Sequence, residues 1–208
     1  MIKITTEVTS MLADIYTPVG IYLRLRDVFR DTILLESTDN HAADKSWSFI
    51  AVNAIAGVEI TTGDTVELKF PGQTAERIEL DSNQTIPSVL NDFLNRFEVN
   101  GADNKIARFA QGLYGYTSYE AIQFFETVPA ADFSSGKDAI PLMRYRLYQY
   151  VIAINHFKNE LFICENKFEN IESNLDGLIS LIRSKDVPVY PFKTVKAEAS
   201  NMTDEDYI

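Results

Sequence analysis

Two histidines, one cysteine and a spread of carboxylates are the groups with which this chain of 208 residues could do acid–base or nucleophilic chemistry. Such chemistry needs a base held by a second polar group within reach of a nucleophile. His41 falls in the polar stretch Thr38 to Lys45, and His156 in the turn His156-Phe157-Lys158-Asn159, so a solvated-loop role and a turn role are expected for them. Cys164 closes the apolar run Leu161-Phe162-Ile163-Cys164 and is expected to be a buried, reduced thiol. A lone cysteine forms no internal disulfide, which implies a reducing compartment. Two histidines and one cysteine cannot fill a zinc cluster of the usual ligand count, so no structural metal is expected. No glycine-rich phosphate loop of either common spacing is present. The chain is thus expected to hold no catalytic residue and no complete active site.

Charge narrows the partners. Thirty acidic residues against 19 basic give a net charge of −11, whose field repels a phosphate backbone and an anionic membrane surface alike. No nucleic acid and no membrane are therefore expected as partners, and Tyr145, Tyr148 and Tyr150 are expected to face a core or a protein partner rather than stack on bases. The start, Met1-Ile2-Lys3-Ile4-Thr5-Thr6-Glu7, lacks the apolar stretch of a signal peptide, and no later segment approaches the roughly 20 apolar residues of a membrane span. A cytoplasmic location is expected. With 46% hydrophobic residues the chain can bury a core of its own.

The elements that must position these groups follow from local pattern. Thr17-Pro18 reads as a helix start, with Thr17 as N-cap and Pro18 at the first position. Thr32 to Ser37 reads as a short buried strand that empties into the loop Thr38 to Lys45. Ser46 to Val52 alternates, and Gly57 to Ile60 with Thr65 to Phe70 flank Thr61-Thr62-Gly63-Asp64, where Gly63 would supply the positive φ of a tight hairpin. Leu90, Phe93, Leu94 and Phe97 fall at helical spacing and predict a helix from Pro87 to Val99. Gly112 to Tyr116 reads as a strand whose glycines admit close approach. Tyr119 to Glu126 reads as a short helix and Phe133 to Lys137 as a loop. Arg144 to Asn155 and Glu160 to Glu165 pair around the His156 turn, and Ile171 to Ser184 is a helix with Leu175, Leu178, Ile179 and Ile182 inward. Together these predict an α+β fold, with antiparallel β-sheets packed together and flanking helices.

After Pro188 to Pro191, Ser200-Asn201-Met202-Thr203 offers N-caps, and Asp204, Glu205 and Asp206 suit the first turn of a helix. A helix announced by good capping and left after one turn implies that the sequence belongs to a longer protein.

One family resemblance ties these segments together. Thr17-Pro18-Val19, Asp31-Thr32-Ile33 and Leu34-Leu35-Glu36-Ser37 resemble the start of anthranilate synthase component I, the chorismate-using subunit of tryptophan biosynthesis. Gly112-Leu113-Tyr114-Gly115-Tyr116 with Tyr119-Glu120 is similar to its glycine-tyrosine segment. Asn155-His156 resembles its aspartate-histidine hairpin, and Ser200-Asn201 with Tyr207 the lead into its catalytic half. The resemblance runs in order from Thr17 to Ile208.

It implies that residues 1–208 are an N-terminal regulatory domain cut before the chorismate-binding catalytic domain, with residues 200–208 as the lead-in. It also implies that Leu35, Glu36 and Ser37 line a feedback site for L-tryptophan. Where many members carry arginine, an aromatic and serine, this chain has Ser46-Trp47-Ser48; Trp47 fills the aromatic place and either closes the pocket or joins the core, while the basic residue is lost. The family's magnesium-binding carboxylates, its chorismate contacts and the far side of its tryptophan pocket lie past Ile208. No cofactor is therefore implied for these residues and magnesium for the full-length enzyme, with a glutamine amidotransferase subunit, component II, as partner. Two other readings stay open: the corresponding domain of a 4-aminobenzoate synthase component, from which Glu36 leans away, and a free-standing binding module without catalysis.

Overall fold

Ile2 and Ile4 alternate with Lys3 and Thr5, and that two-residue period starts the chain as a strand, β1 (Ile2–Leu12). The computed structural model describes residues 1–36, 46–81, 84–100, 104–127, 140–195 and residues 200, 203 and 205. The sequence reading assigned no element to β1. Thr17 then caps α1 (Pro18–Leu25) as expected: its side chain accepts the Gly20 N–H at 3.0 Å, and Pro18, Ile21 and Leu25 are buried.

β2 (Ile33–Glu36) follows and pairs with β3 (Trp47–Thr62) alone among the described strands. It was expected to be buried, but as an edge strand it leaves Leu35 and Glu36 exposed and Ile33 and Leu34 half-buried. β3 is one strand of 16 residues, where the alternation suggested two pieces. Asn53, with φ of 61°, and a slip in the pairing between Ala54 and Ala56 bend it midway.

β3 returns as β4 (Thr65–Lys69) without the expected positive φ at Gly63; among the described glycines only Gly72 has one. The turn is held instead by Asp64 Oδ1, which accepts from the hydroxyls of Thr62 at 2.5 Å and Thr65 at 3.2 Å. β5 (Glu76–Glu79) completes this edge.

Thr85 and Ser88 form a reciprocal capping box for α2 (Ile86–Leu94). The expected helix to Val99 stops here. Phe97 belongs to β6 (Phe97–Asn100), which pairs parallel with β1 from Ile2↔Phe97 to Thr5↔Asn100, while Leu94 is 51% exposed. The helical spacing of Leu90, Phe93, Leu94 and Phe97 thus spans two elements, because pairing with β1 captures the last of them.

A 3₁₀ turn (Ala107–Ala110) leads to β7 (Tyr114–Thr117), and a second (Tyr119–Phe124) follows it. Gly115 is where the expected close approach occurs: a Cβ there would lie 1.8 Å from the Arg144 carbonyl oxygen, whereas at Gly112 it would meet nothing within 4 Å. The loop expected at Phe133 to Lys137 lies outside the described residues. β8 (Met143–Asn155), the turn His156 to Asn159 and β9 (Glu160–Lys167) form the expected hairpin. α3 (Leu175–Arg183) buries Leu178 and Ile182. Of the expected terminal helix, only residues 200, 203 and 205 are described.

The class is α+β, as expected. The strands join in one nine-stranded sheet of order β5-β4-β3-β8-β9-β1-β6, with β2 added to β3 and β7 to β8; β1–β6 is its one parallel pair among the described residues. Ile50, Val52, Ile152, Ile154, Leu161 and Ile163 pack under α1 and α3. Ala51, Val151 and Cys164 pack on the opposite face, and Val58, Ile60 and Leu147 meet Ile86 and Phe93 of α2 past the bend. Each fully buried aliphatic side chain contributes about 1.5–3 kcal/mol, so this double-sided packing of β3, β8 and β9 anchors the more exposed β2.

Candidate functional site

Of the four residues expected to line a site, Leu35, Glu36 and Trp47 are described and Ser37 lies outside the described residues. β2 pairs antiparallel with β3 so that Leu35 stands opposite Phe49 and Glu36 opposite Ser48. Side chains alternate between the faces of a strand. Leu35 therefore shares a face with Phe49 and Trp47, and Glu36 shares the other with Ser48.

The Leu35 face is aromatic. Trp47 stacks on Phe49 with 6.3 Å between ring centroids and 12° between planes, and touches Phe109 at 5.0 Å and Phe162 at 6.2 Å. Phe49 also meets Phe109 at 5.0 Å and Tyr114 at 6.2 Å. Phe109 reaches this group from the 3₁₀ turn, where its carbonyl accepts the Tyr114 hydroxyl. Burial pushes the Tyr114 and Tyr148 hydroxyls up, Tyr148 to about 12. Trp47 is half-buried, so it belongs to this layer and still offers part of its ring at the surface. Leu35, at 39% exposed, extends the same apolar strip toward the sheet edge.

The Glu36 face is polar at the same strand end. Ser48 is fully buried, and its Oγ lies 2.7 Å from Nε2 of His156. The His156 N–H donates to the Ser46 carbonyl at 3.2 Å, so the β8–β9 turn is tied to the start of β3. Asp31, whose φ of 55° turns the chain into β2, accepts from Arg144 of β8 at 2.8 Å and fixes the other end of the strand. The end of β2 thus carries an exposed carboxylate on one face and an apolar, aromatic strip on the other.

Sequence reasoning missed the contact of Ser48 with His156. His156 sits in a turn as expected, and no local signal could connect it to a serine 108 positions away. Cys164 is buried as expected, with its thiol pushed up to about 12 by burial. Tyr148 and Tyr150 are buried and Tyr145 packs against the core around Val58. Among the described residues no three His, Cys, Asp or Glu stand where they could hold a metal ion, and no helix is long and apolar enough to cross a membrane. Two open clefts, of about 840 Å³ beside Lys3 and Lys167 and about 730 Å³ beside Arg26 and Arg30, are lined by none of Leu35, Glu36 and Trp47, although the second borders Asp31 and Thr32 just before β2.

The described residues form an α+β domain built on one mixed sheet, with β2 as a two-faced edge. No family model matches the chain. It is 28% identical over 140 residues to anthranilate synthase component 1 of Aquifex aeolicus (strain VF5), covering 67% of this chain and 26% of that protein. Over 184 residues it is 24% identical to anthranilate synthase component 1 of Lactococcus lactis subsp. lactis (strain IL1403), covering 84% of this chain and 36% of that protein. It is likewise 24% identical over 184 residues to anthranilate synthase component 1 of Acinetobacter calcoaceticus, covering 82% and 35%. Over most of its length the chain is thus similar to anthranilate synthase component 1 proteins, and it spans between 26% and 36% of the length of these curated relatives.

Proposed function

We propose that this chain is the N-terminal regulatory part of an anthranilate synthase component I. The whole enzyme converts chorismate, with glutamine or ammonia, to anthranilate and pyruvate in the first step of tryptophan biosynthesis. The carrying observation is the similarity to three proteins of that name over most of this chain. Their shared name also favours the anthranilate branch over 4-aminobenzoate.

In this reading Leu35, Glu36, Ser37 and Trp47 contribute to an L-tryptophan feedback site. Glu36 receives the ammonium, and the Leu35–Trp47 strip covers the indole. The apolar strip and the carboxylate at one strand end support this assignment. Tryptophan here and chorismate in the catalytic half are then coupled by a free energy of about 1–3 kcal/mol, equal in both directions. Chorismate, magnesium and the catalytic carboxylates belong to the remaining length of the enzyme, and component II supplies ammonia from glutamine. The cell compartment is the cytoplasm.

The test is product analysis of the gene product that carries this sequence, supplied with chorismate, magnesium and ammonia. Anthranilate is the expected product. Formation of aminodeoxychorismate, or no turnover of chorismate, would remove the reading.

A further inference from the structure

Ser48 and His156 join elements that no sequence pattern connects, and they do so beside Glu36. Directly opposed residues of an antiparallel pair hold their Cβ atoms about 4.5–5.5 Å apart, so Ser48 is the cross-strand neighbour of Glu36. Ser48 is fully buried, and its Oγ lies 2.7 Å from His156 Nε2. The main chain repeats the tie, from the His156 N–H to the Ser46 carbonyl at 3.2 Å. The turn that carries the imidazole is itself fixed: Asn155, 3% exposed, accepts the N–H groups of Phe157 and Lys158 through Oδ1, both at 3.0 Å. The imidazole thus reaches Ser48 from a rigid base and holds the start of β3 by side chain as well as by main chain.

We propose that His156 is a positioning residue of the inhibitor site. Through Ser48 it fixes the β2–β3 end at which Glu36 receives the ammonium of L-tryptophan; this rests on the site reading given above. The hydrogen bond sets the rotation of the buried Ser48 hydroxyl and ties the β3 residue that Glu36 opposes to the β8–β9 turn. Without the imidazole the serine turns freely and the strand end keeps only its main-chain tie. A ligand that bridges Glu36 and the apolar strip then finds the two halves of its site less well aligned.

The experiment is a titration of anthranilate formation with L-tryptophan on the gene product that carries this sequence, each variant referenced to its own uninhibited rate. His156→Ala and Ser48→Ala each raise the half-inhibitory concentration about tenfold. His156→Gln, whose amide can still reach the serine, stays within about threefold of the parent. Phe157→Ala, at a residue of the same turn that is 60% exposed, leaves inhibition unchanged. If the His156→Ala curve coincides with the parent while Glu36→Gln shifts its own, His156 has no part in the site although the site stands. If Glu36→Gln is unshifted too, the site reading itself fails and this inference with it. Should His156→Ala not fold, a Ser48→Ala curve that coincides with the parent overturns the proposal alone.

Discussion

Ser48 Oγ and His156 Nε2 are 2.7 Å apart, a hydrogen bond that reaches the fully buried serine hydroxyl from an exposed turn. Removing the imidazole leaves that hydroxyl without its partner inside the sheet, which costs about 1–3 kcal/mol. His156→Ala is therefore expected to lower the urea midpoint. Adding Ser48→Ala to it should restore part of the loss, because the orphaned group is gone. A double-mutant cycle by urea unfolding measures this, and simple additivity of the two losses would show that the bond carries no coupling.

Gly112 and Gly115, three positions apart in sequence, make a matched pair with opposite surroundings. A Cβ at Gly115 would fall 1.8 Å from the Arg144 carbonyl oxygen, so Gly115→Ala must push β7 off β8. The expected loss is about 1–3 kcal/mol or more. Gly112→Ala meets nothing within 4 Å and is expected to change stability by less than about 0.5 kcal/mol. Thermal melts of the two variants should separate clearly; equal melting temperatures would contradict the pairing of β7 with β8.

What the sequence disclosed follows the range of the interactions. Thr17-Pro18 announced α1 because capping is settled within four residues, and the His156 turn was readable because β8 and β9 are adjacent in the chain. β1 was not readable, since its pairing with β9 and β6 joins residues more than 90 positions apart. The same pairing took Phe97 out of the expected helix. Leu35, Glu36 and Trp47 are named as candidates through resemblance alone, and their division between two faces needed the register with Phe49 and Ser48. The contact of Ser48 with His156 left no trace in local pattern.

The Cys164 thiol, fully buried and pushed up from 9.0 to about 12, ties stability to alkaline pH. In the unfolded chain it ionises near its ordinary value, while the folded protein holds it neutral. Its contribution is thus complete below about pH 9 and declines as pH rises toward 12. Cys164→Ser or Cys164→Ala is expected to flatten the pH dependence of the urea midpoint across that window. The native thiol should also resist thiol reagents at pH 8 and react once the protein is unfolded; rapid modification of the folded protein would contradict its burial.

Trp47 links the core to the surface, so its replacement should touch both. Trp47→Phe keeps an aromatic ring against Phe49 and Phe109 and is expected to cost less than about 1.5 kcal/mol, whereas Trp47→Ala opens a cavity worth about 3 kcal/mol. In the gene product, Trp47→Phe should weaken inhibition by L-tryptophan before it weakens folding. Inhibition unchanged in Trp47→Phe would return this residue to a purely packing role.

We propose above that this domain senses L-tryptophan on behalf of an anthranilate-forming enzyme. The most direct test is the rate of anthranilate formation from chorismate and ammonia, measured against L-tryptophan concentration for the parent gene product and for Ser37→Ala. The account predicts inhibition of the parent and a half-inhibitory concentration about tenfold higher in Ser37→Ala. A parent that tryptophan does not inhibit, or two superimposable curves, would contradict it.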